Sequence, residues 1–453
     1  MTNNRSKQLE TESIPKLMWK YSIPTIIAAL TIALYNVVDR IFIGQGVGPL
    51  AISGLALTFP IMNILGAFGM LIGQGASSQI SLYLGRHDIK TANHILGNAL
   101  VLNTIISLIV GMTLLIFLNP ILYAFGGSEA TLPYAKEYLI IILPLHVVTS
   151  LAYSLNNMMR ASGFPLKAMI ALVVGTGINF ILDPLFIFVF KMGIQGAAIA
   201  TVISMFISSC IVFFHFTNKN QELHFEFIYF KLHKKIISKI ISIGLSPFLM
   251  ALAASMVNVI MNKSLYSFGG DLAVGAFGII SSYSAMVVMG IIGLNNGTQP
   301  IIGYNYGARQ YDRVRKTVNI SVIIGSVITA FGCILAWVSP QTIGKLFTSD
   351  PQLIDITSFG SRIVFSCFAI VGCQIVMASF FQSIGRARLS ILLSLLRQII
   401  CLTPCILILP HFFGLTGVFL GHPISDVIAW GFTIYYYRKE LKNMHKRELT
   451  TQG

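Results

Sequence analysis

The sequence predicts an all-α polytopic membrane protein: 12 transmembrane helices arranged as two parallel six-helix repeats, an N-lobe and a C-lobe, around a central cleft. Three observations carry that reading. The 453-residue chain is 55% hydrophobic and only 10% charged, with a mean hydropathy of +0.77, whereas soluble globular chains carry about 25% charged residues. Apolar runs of about 20 residues, the length that crosses about 30 Å of hydrocarbon, occur twelve times. Short patterns of the first half return in the second at a separation of 221 to 223 residues, apart from small shifts at single positions.

The runs lie at residues 21–42, 50–74, 93–117, 138–158, 168–190 and 194–216, then at 240–265, 274–298, 318–339, 356–381, 389–410 and 414–437. Runs this long read as helices, because the strands of a membrane barrel alternate in character over about ten residues. Residues 1–16 are polar and lack the apolar core of a signal peptide, so the first helix is expected to stay and the segment to form an N-terminal tail. The expected domains follow: N-lobe 17–216, linker 217–239, C-lobe 240–437 and a basic C-terminal tail 438–453. In the linker, Lys231, Lys234, Lys235 and Lys239 recur at helical spacing beside Ile236, Ile237 and Ile240, which predicts an amphipathic helix on the cytoplasmic surface. All six cysteines fall within spans and read as small packing residues, not as a disulfide or metal framework.

The net charge of +15 is explained by where it sits. Of 31 Lys and Arg, 24 lie in the tails and the even-numbered loops; Lys136, Lys191 and Lys345 lie in odd-numbered loops, and Arg40, Lys263, Arg362 and Arg397 within spans. The positive-inside rule then places both termini in the cytoplasm. With no basic face interleaved with exposed aromatics, the charge does not indicate nucleic-acid binding.

The repeat is visible in five ordered matches. Ser22 and Pro24 resemble Ser246 and Pro247; PLAISGLAL from Pro49 resembles DLAVGAFGI from Asp271; GASSQISLYLG from Gly75 resembles GTQPIIGYNYG from Gly297; RASG from Arg160 resembles QSIG from Gln382; and MGIQG from Met192 resembles FGLTG from Phe413. Six helices return the chain to the side it started from. The halves must therefore be parallel repeats about an axis along the membrane normal, as in secondary transporters.

Thirteen of the sixteen acidic residues lie in loops or tails, and Asp39, Asp183 and Asp426 remain within spans. A carboxylate at the centre of a spanning helix costs about 2.5 to 3.5 kcal/mol on insertion scales, so each is a functional candidate. Tyr35 and Asn36 precede Asp39 by four and three residues, which puts the three polar groups on one helix face. The plainer alternative is a structural pair of Asp39 with Arg40 or Lys263. Asn179 lies one turn before Asp183. Pro184 disfavours α conformation at Asp183 and removes the donor for the Phe180 carbonyl, so a local break is expected to gather a carboxylate, an amide and a free carbonyl. Transporters place cations at such interruptions; an ordinary proline kink is the alternative. Asp426, one turn after His422, reads as an ion-pair partner of Arg397. In the second repeat Asp39 corresponds to Asn262, and Asp183 to Thr403 beside Pro404. The proline belongs to the scaffold and the acids to one half, so ion coupling is expected in the N-lobe.

At these residues the chain resembles the multidrug and toxic compound extrusion (MATE) family of cation-coupled antiporters. The resemblance covers residues 15–437 and rests on SIP followed by the first-helix aspartate, on NFILDP, on MGIQGAAIAT and, most specifically, on TQPIIGYNYGA. It implies two six-helix lobes forming a V that opens alternately to each face, in the bacterial cytoplasmic (inner) membrane. It also implies an N-lobe cation site at Asp39, Asn179, Asp183 and Thr201, with Tyr35 nearby. The chain departs from the NorM branch, showing Ser255 where that branch has a glutamate and no acid on helix 10, and looks closer to the DinF and MepA branch.

Two neighbouring carboxylates in a medium of low dielectric cannot readily both ionise, so an Asp39–Asp183 pair would hold one proton or a sodium ion. The function expected is H+- or Na+-coupled antiport of lipophilic, often cationic, compounds, with Pro24 and Pro184 as hinges and no cofactor beyond the coupling ion. Aromatic and thioether surfaces suit such substrates; the candidates are Met256, Asn258, Met261, Tyr283, Met286, Gln374 and Met377, each also compatible with core packing. The expected partners are small molecules and the bilayer, with the protein a monomer. The rivals are a lipid-linked oligosaccharide flippase, which calls for cationic residues along the cavity, and a channel. An enzyme is disfavoured because the chain has no HExxH, no GxSxG and no carboxylate pair beside a histidine.

Overall fold

The computed structural model describes residues 7–125 and 127–452 and, within them, all side chains but those of Asn36, Val37, Arg40, Gly44, Pro49, Ile52 and residues 450–452. The spanning helices of the first half are α1 (Ile14–Gly46), α2 (Pro49–Gly85), α3 (Ile89–Ile116), α4 (Leu132–Ile142 and His146–Ala161, bent by 60°), α5 (Pro165–Pro184, prolonged by a wide turn Leu185–Val189) and α6 (Gly193–Thr217). The second half begins with the helical stretch Lys234–Gly307, which Gly270 at φ 66° divides into α7 (234–269) and α8 (271–307). It continues with α9 (Tyr311–Val338), α10 (Pro351–Val364 and Phe368–Ser383, bent by 55°), α11 (Ala387–Leu395, a wide turn Leu396–Leu402, then Thr403–Ile408) and α12 (Pro410–Gln452). Among the described residues nine stretches are each long and apolar enough to cross a bilayer; the two bent pairs add two, and the division at Gly270 supplies the twelfth.

The backbone repeats as the sequence does. Left-handed conformations occur in pairs at Gly48 and Gly270, His87 and Arg309, Gly163 and Gly385, and Gly193 and Gly414. Gly163 and Gly385 close the RASG and QSIG motifs, where the chain reverses between helices at φ 97° and 78°, angles that a Cβ would strain.

Glycines also set the contact between lobes. A Cβ on Gly85 would stand 1.9 Å from the Tyr304 carbonyl oxygen, and one on Gly307 would stand 2.2 Å from that of Leu82. The two contacts exchange partners across the repeat, so α2 and α8 meet about a pseudo-two-fold axis with their backbones in contact. Gly75 against the Ile240 carbonyl and Gly297 against Ser22 repeat the arrangement between α2 and α7 and between α8 and α1. Thr25 Oγ1 adds a hydrogen bond to the Gly293 carbonyl, 2.7 Å, from α1 to α8.

These contacts lie at the end that carries the termini. There one hydrophobic cluster runs through both lobes, joining Leu17 and Tyr21 of α1 and Ile80 of α2 to Ile240, Ile301 and Tyr304. At the opposite end the clusters are separate, one built on Ile43, Ile61 and Leu65, the other on Val257, Phe277 and Phe419. The lobes therefore join at one end and part at the other, as a V. The N-terminal segment straps the join: Arg313 donates to the carbonyls of Leu9 and Glu12 at 2.9 and 2.6 Å, and Asn305 donates to Leu9 at 3.1 Å.

Two local expectations are corrected. Pro184 does not break α5: Asp183 stays helical, and the strain is absorbed afterwards by a wide turn in which Phe190 N–H reaches back five residues to the Leu185 carbonyl, 3.0 Å. A wide turn re-pairs the backbone without exposing it to hydrocarbon, which a true break could not do. The linker 217–239 is not an amphipathic helix. Between α6 and α7 it holds one 3₁₀ turn, Phe227–Phe230, and its lysines from Lys234 onward belong to α7. Side chains of α3 supply the partners a helix would have supplied. Asn93 binds the Glu222 carbonyl and the His224 N–H, and Asn98 binds the carbonyls of Tyr229 and Lys231 and the His233 N–H, all at 2.7 to 3.2 Å.

Replacing Gly85 or Gly307 by valine should lower the melting temperature by several degrees and prevent the lobes from joining, whereas Gly66→Ala, whose Cβ would meet nothing within 4 Å, should leave it unchanged; thermal unfolding in detergent measures both. Asp88 caps α3 by accepting from Thr91 N–H at 3.0 Å, and that bonding holds its carboxyl below the usual range. Its stabilisation is complete above the ordinary aspartate pKa and fades as pH falls through the lowered value. Asp88→Ala should cost about 1 kcal/mol at neutral pH and less in acid, as read from unfolding at the two pH values.

Candidate functional site

Four helices of the N-lobe bring a cluster of oxygen groups into its interior. Tyr35 and Asp39 are one turn apart on α1, Asn179 and Asp183 one turn apart on α5, and Thr201 lies on α6. The spacing of four residues, repeated on two adjacent helices, turns both pairs toward the same point. Asp39, Asn179, Asp183 and Thr201 are all buried.

The Asp39 and Asp183 carboxyl groups are neighbours in this buried cluster, where two close carboxylates do not readily ionise together. Asn179 Nδ2 donates to Asp183 Oδ1 at 3.2 Å, while Asn179 Oδ1 is buried with no hydrogen-bond partner. The Tyr35 hydroxyl lies 3.0 Å from Thr201 Oγ1. Carboxylate, amide, hydroxyl and phenol oxygens form a hard donor set suited to a proton or an alkali cation. The structure thus gathers Tyr35, Asp39, Asn179, Asp183 and Thr201; the side chains of Asn36 and Arg40, also placed by the sequence near Asp39, lie outside the described residues.

One member was not foreseen. Tyr138, buried on the first half of α4, lies beside Thr201 and the two aspartates. It stands far from the other members in the chain, with no second polar residue at helical spacing to single it out.

The C-lobe has different chemistry. Arg397 Nε on α11 donates to Asp426 Oδ1 on α12 at 2.7 Å, the pair expected from the sequence. Asp426 is 2% exposed, and the neighbouring His422 is half-buried, its Nδ1 without a hydrogen-bond partner. Between the lobes lies a cavity of about 170 Å³, walled by Gln74 and Tyr153 from the N-lobe and by Gln374, Gln382 and Arg397, among others, from the C-lobe. Of the seven cleft candidates only Gln374 stands on this wall. Met261 and Met377 are corrected to packing residues: both are buried in C-lobe hydrophobic clusters, where a flexible thioether fills irregular space. Tyr283 donates to the Gly332 carbonyl at 2.8 Å, and Met256, Asn258 and Met286 are exposed. Pro24 lies inside α1, which runs through it without interruption.

Comparison with known proteins matches this chain to the MatE family model over residues 24–185 and again over 247–407. It is similar to the Multidrug export protein MepA of Staphylococcus haemolyticus, 29% identical over 420 residues covering 93% of this chain and 92% of that protein. Among solved structures it is similar to the MATE multidrug transporter DinF-BH, with 36% identity, a TM-score of 0.88 and coverage of 95% and 96% of the two chains. A second structure, described as the outward-facing conformation of a multidrug resistance MATE family transporter, matches with a TM-score of 0.91 at 25% identity, covering 98% and 99%.

The buried Arg397–Asp426 pair sets a stability test of its own. Removing one partner strands a charge in a low-dielectric interior and should cost about 3 to 5 kcal/mol, whereas replacing both by apolar residues of similar volume should cost far less. Unfolding of Asp426→Leu, Arg397→Met and the double variant checks this order.

Proposed function

The chain belongs to the MatE family of multi-pass membrane transporters, and we propose that it exports lipophilic, often cationic, compounds in exchange for H+ or Na+. The observation that carries this reading is the neighbouring placement of two buried acids, beside an amide oxygen that has no partner. A carboxyl pair of this kind holds one exchangeable proton, and with that proton removed its oxygens, Asn179 Oδ1 and the Thr201 hydroxyl are donors for sodium. The relatives named for multidrug export support the substrate class.

The V is open at the end away from the termini, and with the termini in the bacterial cytoplasm, as the lysine and arginine distribution indicates, this is the outward-facing state. Helix α1 couples the site to the lobes: it carries Asp39 at one end of a stretch whose other end, Thr25, bonds the C-lobe at Gly293. The two points are about 21 Å apart along the helix. Ion entry from outside alters the hydrogen bonds among α1, α4, α5 and α6, and α1 transmits the change to the joined end. Expelling a monovalent cation works against about 2.3 kcal/mol per 100 mV, a term that one entering cation cancels, so the chemical gradient of the ion drives export. A phosphate-carrying flippase is less well supported, because among the described residues Arg397 is the one cationic side chain on the wall of the central cavity and Asp426 pairs with it.

Reconstituted vesicles loaded with ethidium should show efflux that an imposed proton or sodium gradient accelerates. Asp39→Asn and Asp183→Asn should each reduce that acceleration at least about tenfold, as expected for loss of a charged contact, with the fold intact by thermal unfolding. Tyr138→Phe should shift the ion concentration for half-maximal efflux while leaving the maximum within about threefold. Gradient-driven efflux that survives both aspartate substitutions would rule out the N-lobe mechanism.

A further inference from the structure

The cavity between the lobes is not charged like the N-lobe site. Its wall carries Arg397, whose Nε is engaged by Asp426 while its terminal nitrogens make no hydrogen bond to the protein. Asp426 is buried and does not line the cavity, so of the pair it is the cationic member that stands on the wall. A guanidinium held side-on by one carboxylate keeps its two-pronged end for a second oxyanion. Gln374, 3% exposed and on the same wall, has a side-chain oxygen with no partner, so the cavity also holds an unused acceptor. The remaining polar wall groups are mostly satisfied by one another: Gln382 donates to Gln74 at 3.0 Å, Gln74 to Tyr153 at 3.1 Å, and Ser390 to Ser246 at 2.8 Å. Among the groups that remain to meet a ligand, Arg397 carries the charge and Gln374 a buried acceptor.

We infer that this cavity is a substrate subsite, in which the terminal nitrogens of Arg397 receive the carboxylate of an amphiphilic substrate. At about 170 Å³ it is smaller than the cavities of about 300 to 1,000 Å³ that enclose whole drugs, so it takes one end of the molecule, a carboxyl-bearing ring, while the rest lies in the open cleft. Asp426 is a positioning residue: it fixes the guanidinium through Nε and keeps it from turning out of the wall. The inference rests on the export reading for its substrate but assigns a site in the other lobe, on chemistry of the opposite sign. Zwitterionic compounds thereby gain a contact that plain cations lack.

A matched dye pair tests it: rhodamine B, which carries a free carboxylate, and its ethyl ester, which differs only in lacking that charge. Equilibrium binding to the purified full-length protein, read by fluorescence anisotropy, should favour the acid over the ester by about tenfold, the worth of a charge-assisted hydrogen bond. The double variant Arg397→Gln with Asp426→Asn keeps a neutral hydrogen-bonding pair and should bring the two dyes to equal affinity by weakening the acid alone. Equal affinities in the native protein, a preference that survives the double variant, or equal weakening of both dyes would each overturn the subsite. Gradient-driven efflux of the ester is measured in parallel. Its failure would count against the export reading, whereas its success beside equal dye affinities would count against the subsite alone.

Discussion

Backbone contact between α2 and α8 is the constraint on which the rest of the structure depends. Gly85 meets the Tyr304 carbonyl and Gly307 meets the Leu82 carbonyl, each where a single methyl group would overlap an oxygen. In lipid there is little hydrophobic drive to hold helices together, so close packing of small residues carries the association. The same contacts fix which end is joined. The shared hydrophobic cluster and the N-terminal strap on Arg313 form around that end, and the lobes are free to part at the other.

On this symmetric scaffold the chemistry is asymmetric. The N-lobe encloses two acids, an amide and hydroxyl groups, while the C-lobe encloses an arginine paired with one acid. A charge inside a spanning helix is stable only with a partner, and the two lobes meet that demand differently. Asp426 is neutralised by Arg397 within the protein, whereas Asp39 and Asp183 are gathered with amide and hydroxyl groups. That difference is the ground on which ion coupling is proposed for one lobe.

Much of this was legible in the chain. The tyrosine–aspartate and asparagine–aspartate spacings of four residues marked two helix faces, and the structure turns those faces together with Thr201. The Arg397–Asp426 pair was legible because two opposite charges in neighbouring spans must find each other. Tyr138 was not, since a lone tyrosine at the start of an apolar run carries no spacing signal. The readings of Pro184 and the linker failed for a common reason: both treated backbone hydrogen bonds as lost or made within the segment. The wide turn after Pro184 and the side chains of Asn93 and Asn98 re-pair those groups from elsewhere.

The sequence by itself determined the number of crossings, the duplication and the identity of the charged residues, because run length, repeat offset and the cost of burying charge are local or countable quantities. It also showed glycine recurring at 75, 85, 297 and 307 as a pattern, without a partner for any of them. Tertiary structure decided which backbones those glycines touch, which end of the V is closed, that Met261 and Met377 are interior packing, and that Arg397 stands on the cavity wall. Each of these depends on how whole helices rotate and cross, and a rotation of one helix face changes every contact without changing a residue.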